Sequence, residues 1–544
     1  MSFANRVNSI KRRLSKYTRA SLVEHLMKRL HLPESSFGDH PSLPWLSCMM
    51  LELVLEVDED PDARVADSQK LTVILNDLWN LQNEAIRFDP DKTMMLTMRP
   101  FLIQQLRFQS AQVTHLYFLA RMQLLLLEYN KSPKPIRAFE RATGIPFEDF
   151  VTLSLFFAFA FSDMLAIKQT KITYEYILSK LYPSYSLETL VKFLTLVGNE
   201  LDTLGKNIKL KRVDSGPPRS DDYFTESLFF GTPLLLLPSG VSTTHSYIAC
   251  IGLSEFILRT LKDCDDDGNS FRKPFSHAFE RYISDLFITS GLAVVQEDSL
   301  KKQYNDEIKN SKVVDYFYSS DGKNLFVDAK SVEPKQTVLS TQNPRVIKER
   351  LRDHLIGALT QARECANALN QSKYDHLVST ENRYILVISH QDFFVGSGQR
   401  LRDLLGKDYG SSIDDAVGNE FKLENVFYIA IAEFEGVIQL LQEGQVTIFE
   451  FLDYCKNRNT KEPLFNMRQY VSEFGQELQL DNPSPIGSDR VKKSFDSTFR
   501  ELEAAWEHNS AYWRELGAVD SVVAVNEFTY VYNSFRKALS ESEQ

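Results

Sequence analysis

One predicted β-hairpin constrains the fold of this chain more than any other feature. Two runs rich in Val, Phe and Tyr flank the dipeptide Asp321-Gly322, which is typical of a two-residue loop between antiparallel strands. With this loop, Asp315 falls opposite Asp328 on one face, and strand alternation puts Lys330 on the same face. The sequence therefore predicts two carboxylates and an ammonium group side by side.

Two carboxylates in this arrangement need a positive charge between them. Directly opposed residues of an antiparallel pair lie about 4.5–5.5 Å apart at Cβ, and carboxylates that close together repel each other. A divalent cation with oxygen ligands removes that repulsion. The prediction depends on the register, because a slip of one residue would turn one aspartate to the far face.

The hairpin resembles a known nuclease core. Asp315, followed across the turn by Asp328-Ala329-Lys330, is similar to the motif of the PD-(D/E)XK, or restriction-endonuclease-like, superfamily. The resemblance covers about residues 270–435 and implies an α/β core whose central mixed sheet is flanked by helices. Buried strands predicted at 384–389 and 426–432 would complete that sheet.

The resemblance extends to the helices on either side of the hairpin. In the preceding helix, predicted around residues 275–283, Glu280 matches an acidic residue that many members carry. In the following helix, predicted from Lys348 to Leu369, Gln361 matches a glutamine found in some branches. Cys365 stands where the RecB-like branch has a tyrosine, which argues against that branch.

The triplet Asp328-Ala329-Lys330 is more specific than its neighbours. Val314 stands where the first motif often has a proline, a variation that the superfamily tolerates. Two other acidic-x-Lys triplets, Asp321-Gly322-Lys323 and Glu333-Pro334-Lys335, are decoys, since the first lies in the turn and the second contains a proline. The alternative for the whole hairpin is a solvated edge with ordinary surface charges.

The resemblance implies hydrolysis of phosphodiester bonds with Mg²⁺, for which Mn²⁺ would be a substitute. Asp315, Asp328 and the backbone carbonyl of Ala329 would hold the metal, which needs few protein ligands because it keeps several waters. Lys330 would orient or deprotonate the attacking water. Glu280 would complete the acidic cluster, either through water or at a second metal.

Two of the implied site residues have a structural alternative. Glu280 could lie on the solvated border of an amphipathic helix, and Glu297 or Asp298 would then take its place. Gln361 is a further candidate catalytic residue, although a glutamine on an exposed helix requires no function.

A chain of 544 residues is too long for one hydrophobic core, so several domains are expected. The fold class predicted is multi-domain, α plus α/β. The predicted parts are a large α-helical region at 1–215 for regulation, sensing or oligomerisation, a connector at 216–268, the nuclease domain at 269–455 and a helical C-terminal extension at 456–544.

Other features favour a cytoplasmic protein that does not enter a membrane. The best membrane candidate, Val151–Ile167, is short and carries Asp163, so a buried helix is predicted. The five cysteines are scattered without C-x-x-C spacing, which suits a reducing compartment and argues against a zinc site. The first residues contain no apolar run of the kind that a secretory signal needs.

The net charge of −11 is unusual for a protein that binds polyanions, but basic residues cluster locally. Such clusters would bind phosphates, and their alternative is a solvated helix face balanced by neighbouring acids. The three clusters are Arg6, Lys11, Arg12, Arg13, Lys16, Arg19, Lys28 and Arg29; Lys206, Lys209, Lys211 and Arg212; and Arg345, Lys348, Arg350, Arg352 and Arg363.

Two further motif matches predict ordinary structure. The run from Asp263 to Gly268 matches the start of an EF-hand loop, but Pro274 stands at the twelfth position, where a bidentate glutamate is required, so an acidic linker is predicted. The run from Gly396 to Gly398 opens a helix and could hold a phosphate, but it lacks the lysine of a P-loop, so a turn is predicted.

The sequence as a whole predicts a Mg²⁺-dependent endonuclease, with DNA favoured over RNA as the substrate. The first alternative is an RNase with the same site, for example one that cleaves tRNA. The second is a nuclease-fold module that binds without cutting. A nuclease core beside a helical region resembles bacterial antiphage defence effectors at the level of fold alone, and either a homo-oligomer or a separate activating partner would suit it.

Overall fold

The computed structural model describes residues 2–31, 43–86, 92–109, 112–167, 169–303, 312–371, 377–461, 467–481 and 487–542. Within these ranges the first 215 residues are helical apart from two short strands, as predicted. Their elements are α1 (Phe3–Leu14), α2 (Arg19–His31), α3 (Pro44–Glu56), α4 (Ser68–Asn80), α5 (Gln82–Ala85), α6 (Met94–Gln109), α7 (Gln112–Leu127), α8 (Lys134–Thr143), α9 (Phe147–Ile167), β1 (Ile172–Thr173), α10 (Tyr174–Leu181), α11 (Leu187–Val197), β2 (Gly198–Glu200) and α12 (Leu201–Ser215).

The middle of the chain mixes strands and helices. Its elements are β3 (Leu234–Leu237), β4 (Gly240–Ser242), α13 (Ser246–Asp263), α14 (Arg272–Thr289), β5 (Val295–Gln296), α15 (Glu297–Gln303), β6 (Tyr316–Ser320), β7 (Lys323–Lys330), α16 (Gln336–Ser340), α17 (Pro344–Leu351), α18 (Gly357–Gln371), β8 (Arg383–Ser389), α19 (Gly398–Tyr409), α20 (Ser411–Val417), β9 (Val426–Ala430), α21 (Ile431–Gly444) and α22 (Ile448–Lys461). Short 3₁₀ turns cover Ser220–Phe224, Leu228–Phe230, Thr380–Asn382 and Leu423–Asn425, and a π turn covers Arg352–Ile356.

Three helices end the chain: α23 (Met467–Glu477), α24 (Asp489–Val519) and α25 (Ser521–Ser542). The predicted helical C-terminal extension is therefore confirmed as to its secondary structure.

The larger sheet has the strand order β5-β6-β7-β8-β9. Strands β5, β6 and β7 are antiparallel neighbours, whereas β7, β8 and β9 run parallel. The predicted hairpin register is confirmed, since Ser320 pairs with Lys323 and Tyr316 with Val327. The backbone reverses there because Asp321 and Gly322 both take positive φ, at 52° and 69°, as a two-residue hairpin turn requires.

Both faces of this sheet are covered by helices. Alternate side chains of β6 to β9 fall into two separate apolar clusters, as expected for strands that are buried on both sides. The cluster on one face contains Tyr316, Leu325, Val327, Leu386 and Ile429 with residues of α14 and α21. The cluster on the other face contains Phe317, Phe326, Ile385, Val387 and Tyr428 with residues of α17, α18 and α19.

Two sequence predictions around the hairpin need correction. The Val-, Phe- and Tyr-rich run before the turn predicts a first hairpin strand that includes Val313 and Val314, but β6 begins at Tyr316. These two valines are buried in the apolar cluster against α18, and that packing holds their backbone outside the ladder. The helix expected from Lys348 to Leu369 is interrupted by the π turn, which separates α17 from α18.

A small sheet joins the helical region to the residues that follow it. Its strand order is β1-β4-β3-β2, and β2 pairs in parallel with β3 through Gly198 and Leu234. Two of its strands thus come from the predicted helical region and two from the predicted connector. The connector also supplies α13, whose apolar face is buried.

The apolar helix α9 is packed inside the protein over most of its length. Phe150, Leu153, Phe156 and Phe157 are each no more than 1% exposed. Within the described ranges, no single helix is both long enough and apolar enough to cross a membrane, although α8 and α9, which are bent by 68°, together satisfy length and composition.

Helix α6 docks onto the loops that follow β7 and β8. Arg99 is fully buried, and its guanidinium donates to the carbonyls of Val338 at 2.7 Å, Phe393 at 2.6 Å and Phe394 at 3.3 Å. From the opposite direction, Gln342 donates to the carbonyl of Thr97 at 3.1 Å. The helical region is thereby tied to the two loops nearest the carboxyl ends of these strands.

A buried polar cluster connects four helices. Arg121 of α7 donates to both carboxylate oxygens of Glu435 in α21, at 2.5 and 2.6 Å. Tyr282 of α14 donates to Glu435 at 2.7 Å and lies 2.7 Å from the hydroxyl of Ser488, the N-cap of α24. Both charges of the pair are almost fully buried, so each depends on the other for its stability.

Replacing Arg121 with Met should lower the free energy of unfolding by about 3–5 kcal/mol, because Glu435 would be left in an apolar core without its charged partner. Urea titration followed by far-UV circular dichroism measures the change. The control is Arg402→Ala at the exposed Arg402–Asp414 pair, where a loss of less than about 1 kcal/mol is expected. An equal effect of both substitutions would contradict this account of the cluster.

Candidate active site

The predicted site residues meet where β6 begins and β7 ends. Asp315 directly precedes β6, while Asp328 and Lys330 are the third-last and last residues of β7. Lys330 pairs with Ser389 in the parallel ladder, so the site lies at the carboxyl end of β7 and β8. Ligands of open α/β sheets bind at this kind of edge.

Asp315 reaches across the hairpin. Its Oδ2 accepts a hydrogen bond of 2.6 Å from the backbone amide of Ala329, the residue between Asp328 and Lys330. Burial, together with the neighbouring charge of Asp328, raises the pKa of Asp315 well above its ordinary value. The raised pKa of Asp315 therefore favours its protonated form when no cation is bound.

Asp328 is the most deeply buried member of the site. It is 1% exposed, and neither carboxylate oxygen accepts a hydrogen bond of normal geometry from the residues that the structure describes. The Lys330 ammonium nevertheless lies 2.7 Å from Asp328 Oδ2 as an ion pair. The side chain of Lys330 is 20% exposed, so its charge bridges the buried carboxylate and solvent.

Glu280 lies on α14 beside the same edge. Its carboxylate accepts from Ser276 at 3.2 Å and lies 3.3 Å from His277 Nδ1, both on its own helix. The hydroxyl of Tyr316 donates to the Glu280 carbonyl and so fixes α14 against β6.

An acidic cleft of about 530 Å³ opens beside Asp315. Glu280 lines it, and so do both predicted substitutes, Glu297 and Asp298. All three acids of this prediction thus line the same cleft as Asp315. Asp328 and Lys330 are not among the residues that line this cleft.

Gln361 supports the backbone that leads to Asp315. From the second turn of α18 its Nε2 donates to the carbonyl of Val313 at 2.6 Å. On the other side, the amide of Glu297 donates to the carbonyl of Asp315 at 3.0 Å. Gln361 therefore has a direct positioning contact with the segment that carries the first aspartate.

Sequence reasoning missed His354. It lies in the π turn between α17 and α18, a type of helix insertion that is frequent at functional sites. Burial lowers the pKa of His354; the charge of Asp353 opposes this effect, and the charges of Lys330 and Lys335 add to it. The sequence contains no signal for His354, since the π turn is not encoded by a local motif.

The donor set fits one hard divalent cation with few protein ligands. Across the described ranges, no group of three or more His, Cys, Asp and Glu side chains converges closely enough to hold a metal ion. Mg²⁺ is commonly held by one or two carboxylates with waters and substrate phosphates. Asp315 and Asp328, whose buried carboxylate is paired only with the Lys330 ammonium among the described contacts, could provide such a pair, with the Ala329 carbonyl beside them.

Ion pairs within the chain occupy many of the clustered basic residues, as the solvated-face alternative expects. In the first cluster, Arg19 lies 2.9 Å from Asp202 and Lys28 lies 2.5 Å from Glu24. Further intramolecular ion pairs are Arg6–Glu84, Lys11–Glu56, Arg13–Asp77, Lys209–Asp58, Arg212–Glu52, Arg345–Glu349 and Arg352–Asp353. Nucleic-acid binding by these clusters stays a prediction.

The two minor motifs have structural roles. The carboxylate of Asp265 accepts from the amides of Ser270, Phe271 and Arg272, so it caps the start of α14. Gly398 follows the N-cap of α19, and a Cβ there would lie 2.7 Å from the Cβ of Val426. Close packing against β9 accounts for this glycine.

The chain matches no protein-family model, and no curated protein or solved structure matches it significantly.

Replacing Asp315 with Asn should stabilise the protein in EDTA at pH 8 by about 1–4 kcal/mol, because at that pH the wild type must either keep a proton on Asp315 or hold two like charges together, and the variant need do neither. The asparagine oxygen can still accept from Ala329. Because burial and Asp328 raise the folded pKa of Asp315, the protonated carboxyl stabilises the fold at low pH. That contribution is lost as the pH rises through the folded pKa, so the advantage of the variant should grow with pH.

Thermal melting at pH 5 and pH 8 measures this effect. Mg²⁺ should raise the melting temperature of the wild type but not that of the variant. Asp353→Asn, which changes an exposed carboxylate paired with Arg352, is the control and should alter neither value. A variant less stable than the wild type at pH 8 would show that the two aspartates do not repel each other.

Proposed function

We propose that this protein is a Mg²⁺-dependent nuclease of the PD-(D/E)XK type, with Asp315, Asp328 and Lys330 at its centre. The observation that carries the proposal is the pairing of the buried carboxylate of Asp328 with the half-buried carboxylate of Asp315 across a hairpin, with the Lys330 ammonium 2.7 Å from Asp328. Two acidic groups held this close destabilise a fold, so their presence at the carboxyl end of β7 calls for a functional reason.

The arrangement of the sheet supports the same proposal. An antiparallel hairpin is followed by two parallel strands, with helices on both faces, and the site lies where β7 and β8 end. A restriction-endonuclease-like core has a central mixed sheet of this general kind. The assignment combines the hairpin motif with this strand order.

Each residue has a role that follows from its position. Bound between Asp315 and Asp328, Mg²⁺ would supply charge stabilisation to the phosphate and an activated water. Lys330 would orient that water and offset the negative charge that develops on the phosphate. Gln361 holds the backbone before Asp315 in place, and Glu280 keeps the adjoining cleft acidic.

DNA is the favoured substrate, and we expect cleavage at internal positions of the nucleic-acid strand rather than from its ends. An RNase with the same site is the alternative, since a metal site that acts on phosphate does not distinguish the two sugars. The helical region would then regulate or target the core, as in antiphage defence effectors, which is an argument from fold alone.

We also propose a cytoplasmic location. None of the five cysteines, all of which lie in the described ranges, forms a disulfide, and four of them are buried. Buried thiols without disulfides are typical of a reducing compartment.

Cleavage of plasmid DNA, single-stranded DNA and tRNA by the full chain, with Mg²⁺ or with EDTA, tests the proposal. Lys330→Ala should lower the rate by about 10²–10⁴-fold, because the water loses the group that orients or deprotonates it. The matched control is Lys323→Ala at the other end of β7, where the ammonium pairs with Asp453 at 2.6 Å. Its rate should stay within about threefold of the wild type, since surface pairs contribute little.

Loss of plasmid or single-stranded DNA would identify a DNase, and loss of tRNA would identify an RNase. A protein that binds without cutting would leave each nucleic acid intact, and Lys330→Ala would leave its function largely unchanged. Equal losses in the two lysine variants, or cleavage that persists in EDTA, would refute the metal-dependent site.

A further inference from the structure

The turn that follows β7 is tightly held where it leaves Lys330. The carbonyl of Lys330 accepts from the amide of Val332 at 2.7 Å and from the amide of His390 at 3.1 Å. His390 directly follows β8, so the first residue beyond β8 donates a hydrogen bond to the last residue of β7. The backbone of Lys330 is thus held against β8, since Lys330 also pairs with Ser389.

Glu333 completes this arrangement with its side chain. Its Oε1 lies 2.9 Å from His390 Nδ1, and its Oε2 forms an ion pair with Lys262 of α13. The Glu333 side chain is 14% exposed and that of His390 is 8% exposed. The rings of Phe275 and Phe279 stand edge-on to the imidazole, with centroids 5.3 and 6.0 Å away, and confine its position.

The partners of Glu333 favour its charged form. Burial raises its pKa, but the hydrogen bond and charge of His390 and the charge of Lys262 outweigh this effect and bring the pKa to about 2. A buried anion with two defined partners is a rigid anchor, because breaking either contact leaves a charge without compensation. The anchor lies three residues beyond Lys330.

We propose that Glu333, held by His390 and Lys262, is a positioning unit for Lys330. This inference rests on the proposed nuclease function, in which Lys330 must be held close to the attacked phosphate. A lysine side chain has four rotatable bonds, so its ammonium reaches a defined position only if the backbone that carries the side chain does not move.

The unit acts through Lys330 and not on the acidic pair. None of its contacts is made to Asp315 or Asp328. Its loss should therefore reduce the rate of the chemical step while leaving the capture of substrate and of Mg²⁺ almost unchanged. Lys262 belongs to α13, so the same unit links the catalytic strand to the segment that precedes the core.

The test compares Glu333→Gln with Glu420→Gln in the full chain. Glu420 is the matched control because it pairs with Arg383 at the opposite end of β8. The side chain of Glu420 is 22% exposed and that of Arg383 is 6% exposed, so this ion pair is about as buried as the pair of Glu333 and His390. Glu333→Gln should lower kcat by about 10–100-fold, as expected when a supporting contact of a catalytic group is lost. The values of KM and of the Mg²⁺ dissociation constant from calorimetry should stay within about threefold.

Glu420→Gln should lower the melting temperature as much as Glu333→Gln does but leave kcat within about threefold, because it loosens the far end of the strand. If Glu333→Gln does not fold, Lys262→Gln replaces it. Lys262 is 39% exposed, and its loss should lower kcat by about three- to tenfold at unchanged KM.

Unchanged kcat in Glu333→Gln, or a loss of kcat in both glutamate variants in proportion to their melting temperatures, would overturn the positioning role. The failure of the proposed function is a different result: a wild type that cleaves none of the three nucleic acids, or whose cleavage does not depend on Lys330. A wild type that cleaves through Lys330 while Glu333→Gln keeps full kcat would remove this inference alone.

Discussion

The candidate site depends on the register of a single hairpin. Asp321 and Gly322 both take positive φ, and this two-residue turn places Asp315 beside the end of β7. A shift by one residue would send one carboxylate to the opposite face, where the apolar cluster packed on α14 would have to accommodate a charge. The chemistry proposed for the site therefore begins with a backbone conformation that only a few residue types adopt readily.

The helical region and the sheet are physically continuous around that site. Arg99 donates to carbonyls in the segments that follow β7 and β8, and Lys262 binds Glu333 just beyond Lys330. Contacts from α6 and α13 thus reach the residues next to the end of β7 from two directions. A ligand or partner that moved either helix would change the surroundings of Lys330 without touching it.

The sequence predicts local features of this protein well and long-range ones poorly. The turn, the register and the helix around Glu280 follow from nearest-neighbour patterns, which the structure confirms. The late start of β6 could not be predicted, because it results from packing of Val313 against α18 and from the bond with Gln361. The sequence alone places Glu333 in a decoy triplet. Its contacts cannot be predicted from the local pattern, because its partners Lys262 and His390 are 71 and 57 residues away in the chain.

The sheet face that packs on α14 also has a consequence for how such a protein can evolve. Its apolar side chains belong to one cluster with residues of α7, α9, α24 and α25, which come from both ends of the chain. A recombination event that moved residues 269–455 alone into another gene would strip this face of much of its covering. We therefore expect residues 269–455 to be inherited together with their flanking helices, and to vary by substitution and loop insertion rather than by domain shuffling.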